Sequence, residues 1–134
     1  MKSVVCLDPG AAHTGIAISR EGILAEPLCT IFERDFSSLV GKLIPIINKH
    51  NPCVIVIGVP ESGSTVRLAE SLRDRLQSFF SGEVVLFEES ISSKEARQIL
   101  FQIEKSTRER KQREHMTAAA VILQRYLDQS GLQK

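Results

Sequence analysis

The sequence predicts an α/β fold with a five-stranded mixed sheet, strand order 3-2-1-4-5, and helices on both faces. Two observations carry this prediction. Three β-branched apolar runs come first, separated only by short turns, which is typical of an antiparallel meander. Two further apolar runs follow, each preceded by a stretch of helical periodicity, which is typical of parallel strands joined by crossover helices. The 134 residues suffice for one domain covering 1–134.

The five predicted strands are short, and each ends at a turn signal. Asp-Pro-Gly closes the first, Arg-Glu-Gly follows the second, and Ser-Gly precedes the fifth. Right-handed crossovers place the fourth strand beside the first. The predicted strand spans are 3–8, 14–19, 23–29, 53–59 and 83–87.

Helical spacing of apolar residues and capping residues predict four helices. Asp35 is a suitable N-cap for the first, which extends to about His50 with a kink or a break at Pro45. The second begins at Ser64 or Thr65, and a short third begins at Ser92 or Ser93. The last is expected over about 114–129, after a charged segment that breaks the apolar pattern.

Composition favours a cytoplasmic protein with no membrane partner. Hydrophobic residues make up 43% of the chain and charged residues 25%, without a continuous apolar run of membrane-spanning length. The apolar run at the N-terminus is too short for a signal-peptide core. The three cysteines (Cys6, Cys29 and Cys53) are odd in number and form no CxxC, so reduced thiols are expected.

Acidic residues follow two of the predicted buried strands. Asp8 ends the first strand, and Glu88 and Glu89 end the fifth. Carboxylates at a shared sheet edge are natural ligands of Mg²⁺ or Mn²⁺. The alternative is structural: Asp-Pro-Gly is good turn chemistry, and paired glutamates can simply be solvated at a strand end.

Histidines and a basic segment offer further candidates. His13, in the first turn, is a candidate phosphate contact. Glu114 suits a helix N-terminus, and His115 is open to three interpretations: metal ligand, general acid or base, or surface residue. The basic segment is either a phosphate-binding patch or a solvated face; its members are Lys105, Arg108, Arg110, Lys111 and Arg113.

Other classes of site are disfavoured. The stretch GAAHTG lacks the Lys-Ser or Lys-Thr of a P-loop, and no GxSxG nucleophile elbow occurs. With six Phe, one Tyr and no Trp, a base-stacking platform is not expected. The Asp-x-Gly start also occurs in actin-like ATPases, but this chain is too short for their two lobes.

Four stretches, in the right order along the chain, resemble the YqgF/RuvX family. The first two strands of that family are similar to LDPGAAHTGIAIS, and its fourth strand to VIVIGVP. Its fifth strand, acidic turn and following helix are similar to VVLFEESISSKEARQIL, and its terminal helix to MTAAAVILQRYLD. The resemblance implies an RNase H-like fold and a nuclease that uses divalent metal ions, acting on Holliday-junction DNA or on the 5′ end of pre-16S ribosomal RNA.

The resemblance also implies a site, carried over position by position. The first-strand acid of the family falls on Asp8, the fifth-strand acid on Glu89 beside Glu88, and the last-helix acid on His115. Asp8, Glu89 and His115 are therefore the expected catalytic and metal-binding set for Mg²⁺ or Mn²⁺. Supporting acids are expected at Glu88, Glu114 and Glu61, and phosphate contacts at His13 and the basic segment.

The chain departs from the family pattern in ways that bear on activity. His115 replaces a carboxylate, Ala12-His13 replaces a basic pair, and Ser90 replaces an arginine. Two hypotheses follow. The first is a metal-dependent endonuclease for structured nucleic acid, and the second is a weak or inactive nucleic-acid-binding or ribosome-assembly module on the same fold. Either is expected as a monomer or a homodimer. A resolvase is expected to act as a homodimer, because a four-way junction has two-fold symmetry.

Overall fold

The computed structural model describes residues 2–59, 64–88 and 107–130, without the side chains of residues 64 and 107–112. The described elements alternate as predicted, in the order β-β-β-α-β-α-β-α. Their bounds are β1 (Val4–Pro9), β2 (His13–Ser19), β3 (Glu26–Phe32), α1 (Phe36–His50), β4 (Val54–Gly58), α2 (Ser64–Gln77), β5 (Glu83–Phe87) and α3 (Thr107–Ser130).

The five strands form one mixed sheet in the order β3-β2-β1-β4-β5, which confirms the prediction. β1 pairs with β2, and β2 with β3, in antiparallel fashion. β1 pairs with β4, and β4 with β5, in parallel fashion. The carboxyl ends of β1, β4 and β5 therefore lie at one edge of the sheet, where open α/β sheets build their sites.

Helices cover both faces of the sheet, and strand alternation divides the core between them. Val5 and Leu7 of β1 join a cluster with the apolar faces of α1 and α2. Val4 and Cys6, on the opposite face, join a cluster with the alanine-rich face of α3. Asp8 continues this second series, so its side chain belongs to the face that α3 covers.

Helix α1 passes through Pro45 without a break, so of the two predicted alternatives, a kink or a break, the break is wrong. Proline removes the hydrogen bond to the carbonyl four residues earlier, which is that of Gly41. Both residues are exposed, so water can hydrate this carbonyl. Asp35 caps the helix as predicted, with its carboxylate accepting a 2.9 Å hydrogen bond from the amide of Ser38.

Strand β3 begins three residues later than predicted and ends at Phe32. Ile23 and Leu24 supplied the apolar signal for the early start, but they lie in the connection after β2, 49% and 71% exposed. Gly22 turns the chain there with a φ of 82°. A register shift between Ile16 and Ala17 of β2 then places the pairing further along β3.

Helix α3 begins at Thr107, seven residues before the predicted start. The segment 107–113 lacks apolar periodicity, but Arg, Glu, Lys and Gln have high helix propensity and extend the helix beyond its packed face. Glu114 therefore lies two turns inside the helix, and its assignment to a helix N-terminus is wrong. Four of the five basic residues lie in these first turns, namely Arg108, Arg110, Lys111 and Arg113.

Several predicted features lie outside the described residues. They are Glu61, Glu89, Lys105 and the short helix expected after Ser92 or Ser93. Within the described part of the chain, no helix is both long and apolar enough to span a membrane.

Candidate active site

Asp8 lies at the carboxyl end of β1, directly opposite Gly15 of β2. Burial raises the pKa of its carboxyl from 3.8 to about 7, and burial is the sole cause of this shift. The three ion pairs between described residues all involve other groups. Asp8 is half-buried, and a carboxylate held partly out of water without a compensating cation is costly, so Asp8 has the character of a cation ligand.

Helix α3 reaches this edge of the sheet through a close backbone contact. A Cβ atom on Gly15 would overlap the carbonyl oxygen of His115 and would lie 2.9 Å from the amide nitrogen of Met116. Only glycine permits this approach. Since Asp8 and Gly15 are paired residues on neighbouring strands, the contact brings His115 to the same end and the same face of the sheet as Asp8.

Three rings form an aromatic row across this end of the sheet, from α3 to the edge strand. The His13 and His115 rings are stacked, with centroids 4.5 Å apart and planes inclined by 4°. His13 also contacts Phe32 edge to face, with centroids 4.6 Å apart. His13 and Phe32 are cross-strand partners on β2 and β3, so strand pairing holds this contact in place. The aromatic row is thus His115, His13 and Phe32.

The environment of His115 favours the neutral imidazole. Burial and the neighbouring His13 lower the pKa of His115, while Glu114 opposes them by raising it. A neutral imidazole is the form that binds a metal ion or accepts a proton. Glu114 and Arg113 are also half-buried at this end of α3.

The predicted site is thus partly assembled by the described residues. Asp8, His13 and His115 lie at one end of one sheet face, whereas Glu88 is exposed just after β5. Between residues 2 and 130, as far as they are described, no group of three His, Cys, Asp or Glu side chains could hold a metal ion. Asp8 fits a Mg²⁺ or Mn²⁺ site by its donor chemistry and its partial burial. The further predicted donors are His115, at this end of the sheet, and Glu89, outside the described residues.

Comparison with known proteins identifies the family. The model of the RuvX family, described as Holliday junction resolvase, matches residues 2–129. The chain belongs to the RuvX family. A relative from Bacillus cytotoxicus is 35% identical, with 93% of this chain and 97% of the relative covered. One from Thermosynechococcus vestitus is 33% identical, with coverages of 96% and 89%. Both relatives bear the name of pre-16S rRNA nuclease, a function that is assigned to them by inference.

Solved structures share the fold of this RuvX-family protein. Thermus thermophilus RuvC, in complex with a Holliday junction substrate, superposes with a TM-score of 0.60 over 98% of both chains at 11% identity. The fowlpox virus resolvase, also with Holliday junction DNA, gives a TM-score of 0.52 over 98% of this chain and 97% of its own, at 11% identity. At this identity the comparison shows the fold alone, and it confirms the expected RNase H-like fold.

Two residues that shape this edge escaped prediction from the sequence. Phe32 fell beyond the predicted end of the third strand, so its pairing with His13 was not foreseen. Gly15 lies inside the second predicted strand, and its close contact with the last helix was not predicted. A glycine inside an apolar strand is itself a signal, because it often marks a close approach of another backbone.

Proposed function

We propose that this RuvX-family protein is a metal-dependent endonuclease that hydrolyses phosphodiester bonds in structured nucleic acid. The observation that carries the proposal is the half-buried Asp8 carboxylate at the carboxyl end of the central strand, next to the backbone contact between Gly15 and His115. Family membership supports the same activity, because the model that matches the chain describes a Holliday junction resolvase and relatives are named as nucleases.

In this proposal Asp8 is the central metal ligand, and Glu89 and His115 complete the site with support from Glu88, Glu114 or Glu61. Bound Mg²⁺ or Mn²⁺ would supply Lewis-acid stabilisation of charge on the phosphate and lower the pKa of a bound water. The chain's own residues orient the substrate: the neutral His115 ring is fixed against His13, and α3 is fixed against Gly15. The basic residues of α3, with Lys105 before it, would contact phosphates of the substrate.

The substrate class follows from the relatives. RuvC and the fowlpox resolvase were solved with Holliday junctions, and sequence relatives are named for pre-16S rRNA. We therefore propose a branched or folded nucleic acid, with four-way DNA junctions and the 5′ leader of precursor 16S rRNA as the two candidates.

The test is cleavage of a labelled four-way DNA junction and of a labelled precursor 16S rRNA fragment, in Mg²⁺, Mn²⁺ or EDTA. Asp8→Asn is the inactive control, and Asp74→Asn, at an exposed carboxylate of α2, is the matched control that keeps activity. Metal-dependent cutting that Asp8→Asn abolishes supports the proposal. Binding of either substrate without cutting in any metal ion would contradict it and favour a non-catalytic binding module.

A further inference from the structure

The exposed end of the aromatic row is a surface that the proposed nuclease mechanism does not use. Phe32 is 62% exposed, although it is a large apolar residue at the end of a strand. The described residues include three other exposed large hydrophobic side chains, namely Ile23, Leu24 and Phe79. Ile23 and Leu24 follow the opposite end of β2, and Phe79 follows α2, so Phe32 alone belongs to the end of the sheet that holds Asp8.

Strand geometry gives the distance between Phe32 and the proposed scission site. Phe32 lies two strands from Asp8, and its register position is two residues beyond that of Asp8. Neighbouring strands are about 4.8 Å apart and residues about 3.4 Å apart, so the two Cα atoms are separated by about 12 Å. Successive phosphates on one strand of a duplex rise by about 3.4 Å, so this distance covers roughly three to four stacked nucleotides.

The acid that directly follows Phe32 is compensated by a lysine. Glu33 accepts a 2.9 Å hydrogen bond from the Nζ of Lys42 on α1. The same carboxylate also accepts hydrogen bonds from the amides of Arg34 and Asp35. These bonds lower the pKa of Glu33 and keep its charge compensated. Arg34, two residues after Phe32, is exposed and adds a positive charge.

We propose that Phe32 is a stacking site for an unpaired nucleobase of the substrate, a few nucleotides from the scissile phosphate. His13 is the positioning residue, because it contacts the Phe32 ring edge to face, and the His115 ring stacks on His13. Aromatic side chains bind splayed bases through their π faces, and phenylalanine and histidine both serve in this way. The inference rests on the proposed function, because it takes the strand that crosses Asp8 as the occupant. It predicts that the substrate carries an unpaired base beside its cleavage site.

The experiment separates base stacking from general binding by an abasic scan. Two sets of probes are prepared, four-way DNA junctions and precursor 16S rRNA fragments, each molecule with one abasic nucleotide near the junction or cleavage region. Binding is measured by fluorescence anisotropy in EDTA with Asp8→Asn protein, so that cleavage plays no part. Phe32→Leu, Phe32→Tyr and Phe79→Leu are compared on this background, the last as a matched loss of an exposed ring far from the site.

Loss of one base–aromatic stack should weaken binding of the intact probe roughly tenfold in Phe32→Leu. At one abasic position the same substitution should have no further effect, because the base that Phe32 holds is already missing. Phe32→Tyr should retain the affinity, and Phe79→Leu should bind like the parent. We call this dependence of the Phe32→Leu effect on the abasic position coupling. Coupling in the junction probes identifies DNA as the source of the base, and coupling in the rRNA probes identifies RNA.

Either of two results would overturn the inference: Phe32→Leu binding every probe with the parent's affinity, or an equal loss at every abasic position. Cleavage of the same probes by the protein with Asp8 intact keeps the two proposals distinct. If the probes are cut but show no coupling, the stacking site is rejected and the proposed nuclease activity is retained. Coupling without cutting supports a base-binding site and rejects the nuclease.

Discussion

Replacing Asp8 by asparagine removes a half-buried charge at nearly constant volume, and its effect on stability can be worked out. The folded pKa of about 7 lies above the unfolded value of 3.8. Ionised Asp8 therefore disfavours the folded state by about 4 kcal/mol once both forms are deprotonated. Below pH 3.8 this cost is absent, and it develops as the pH rises towards 7.

The measurement is urea denaturation of the wild type and Asp8→Asn in EDTA between pH 5 and pH 8. The wild type should lose about 2–3 kcal/mol relative to Asp8→Asn across this interval, because up to about pH 7 the unfolded chain has released the Asp8 proton that the folded protein still holds. An asparagine amide that lacks hydrogen-bond partners would lower the free energy of unfolding of the variant by the same amount at every pH. The dependence of the free energy of unfolding on pH is therefore the decisive quantity. Asp74→Asn is the control. Because Asp74 is exposed, a plot of unfolding free energy against pH should be parallel for this variant and the wild type.

Adding Mg²⁺ or Mn²⁺ at pH 8 then tests the metal assignment. A cation at 100 times its dissociation constant stabilises the folded state by about 2.7 kcal/mol. This gain should appear in the wild type and be largely lost in Asp8→Asn. If the unfolding free energies of the wild type and Asp8→Asn vary with pH in the same way in EDTA, the raised pKa of Asp8 is refuted. If the metal ion stabilises both proteins equally, the assignment of Asp8 as a ligand is refuted.

Three further predictions test the packing and the chemistry. Gly15→Ala should destabilise the fold by about 1–3 kcal/mol in urea denaturation, because its Cβ would overlap the backbone of His115, whereas Gly41→Ala, with open space around it, should be neutral or stabilising. His115→Asp should raise cleavage in Mg²⁺ relative to Mn²⁺, because a carboxylate suits Mg²⁺ better than an imidazole does; an unchanged ratio of the two rates would contradict the metal role. Asn51→Gly should keep stability and Asn51→Val should lower it by about 1–2 kcal/mol by thermal unfolding, because this residue ends α1 with a φ of 45°.

The sequence predicts the sheet well where burial forces a simple pattern. β1, β4 and β5 are short apolar runs between turns, and right-handed crossover connections leave few possible strand orders. Asp8 was predicted as a site residue because an acid at the end of such a strand must lie at the sheet edge. The aromatic row escaped prediction because it depends on register, and a shift of a few residues in β3 decides whether Phe32 meets His13.

The start of α3 was wrong for a different reason. Apolar periodicity reports only the part of a helix that packs, and here the recognised apolar face begins at Met116. The preceding charged turns lack apolar periodicity and consist largely of residues with high helix propensity, which an argument from buried faces does not detect. The outcome changes the interpretation of Glu114 and His115, which lie inside a long helix rather than at its first turn.

The placement of α3 also has a consequence for how the protein is made. β1 and β2 are synthesised first, yet the helix that covers one of their faces comes from residues 107–130. Until that segment leaves the ribosome, Val4, Cys6 and Ala17 have no cover, and the growing chain carries an exposed apolar face. His115 therefore joins Asp8 at this edge of the sheet only after α3 has been translated. An unfinished chain would lack the completed edge, and a truncated product would be more prone to aggregate than to cut nucleic acid.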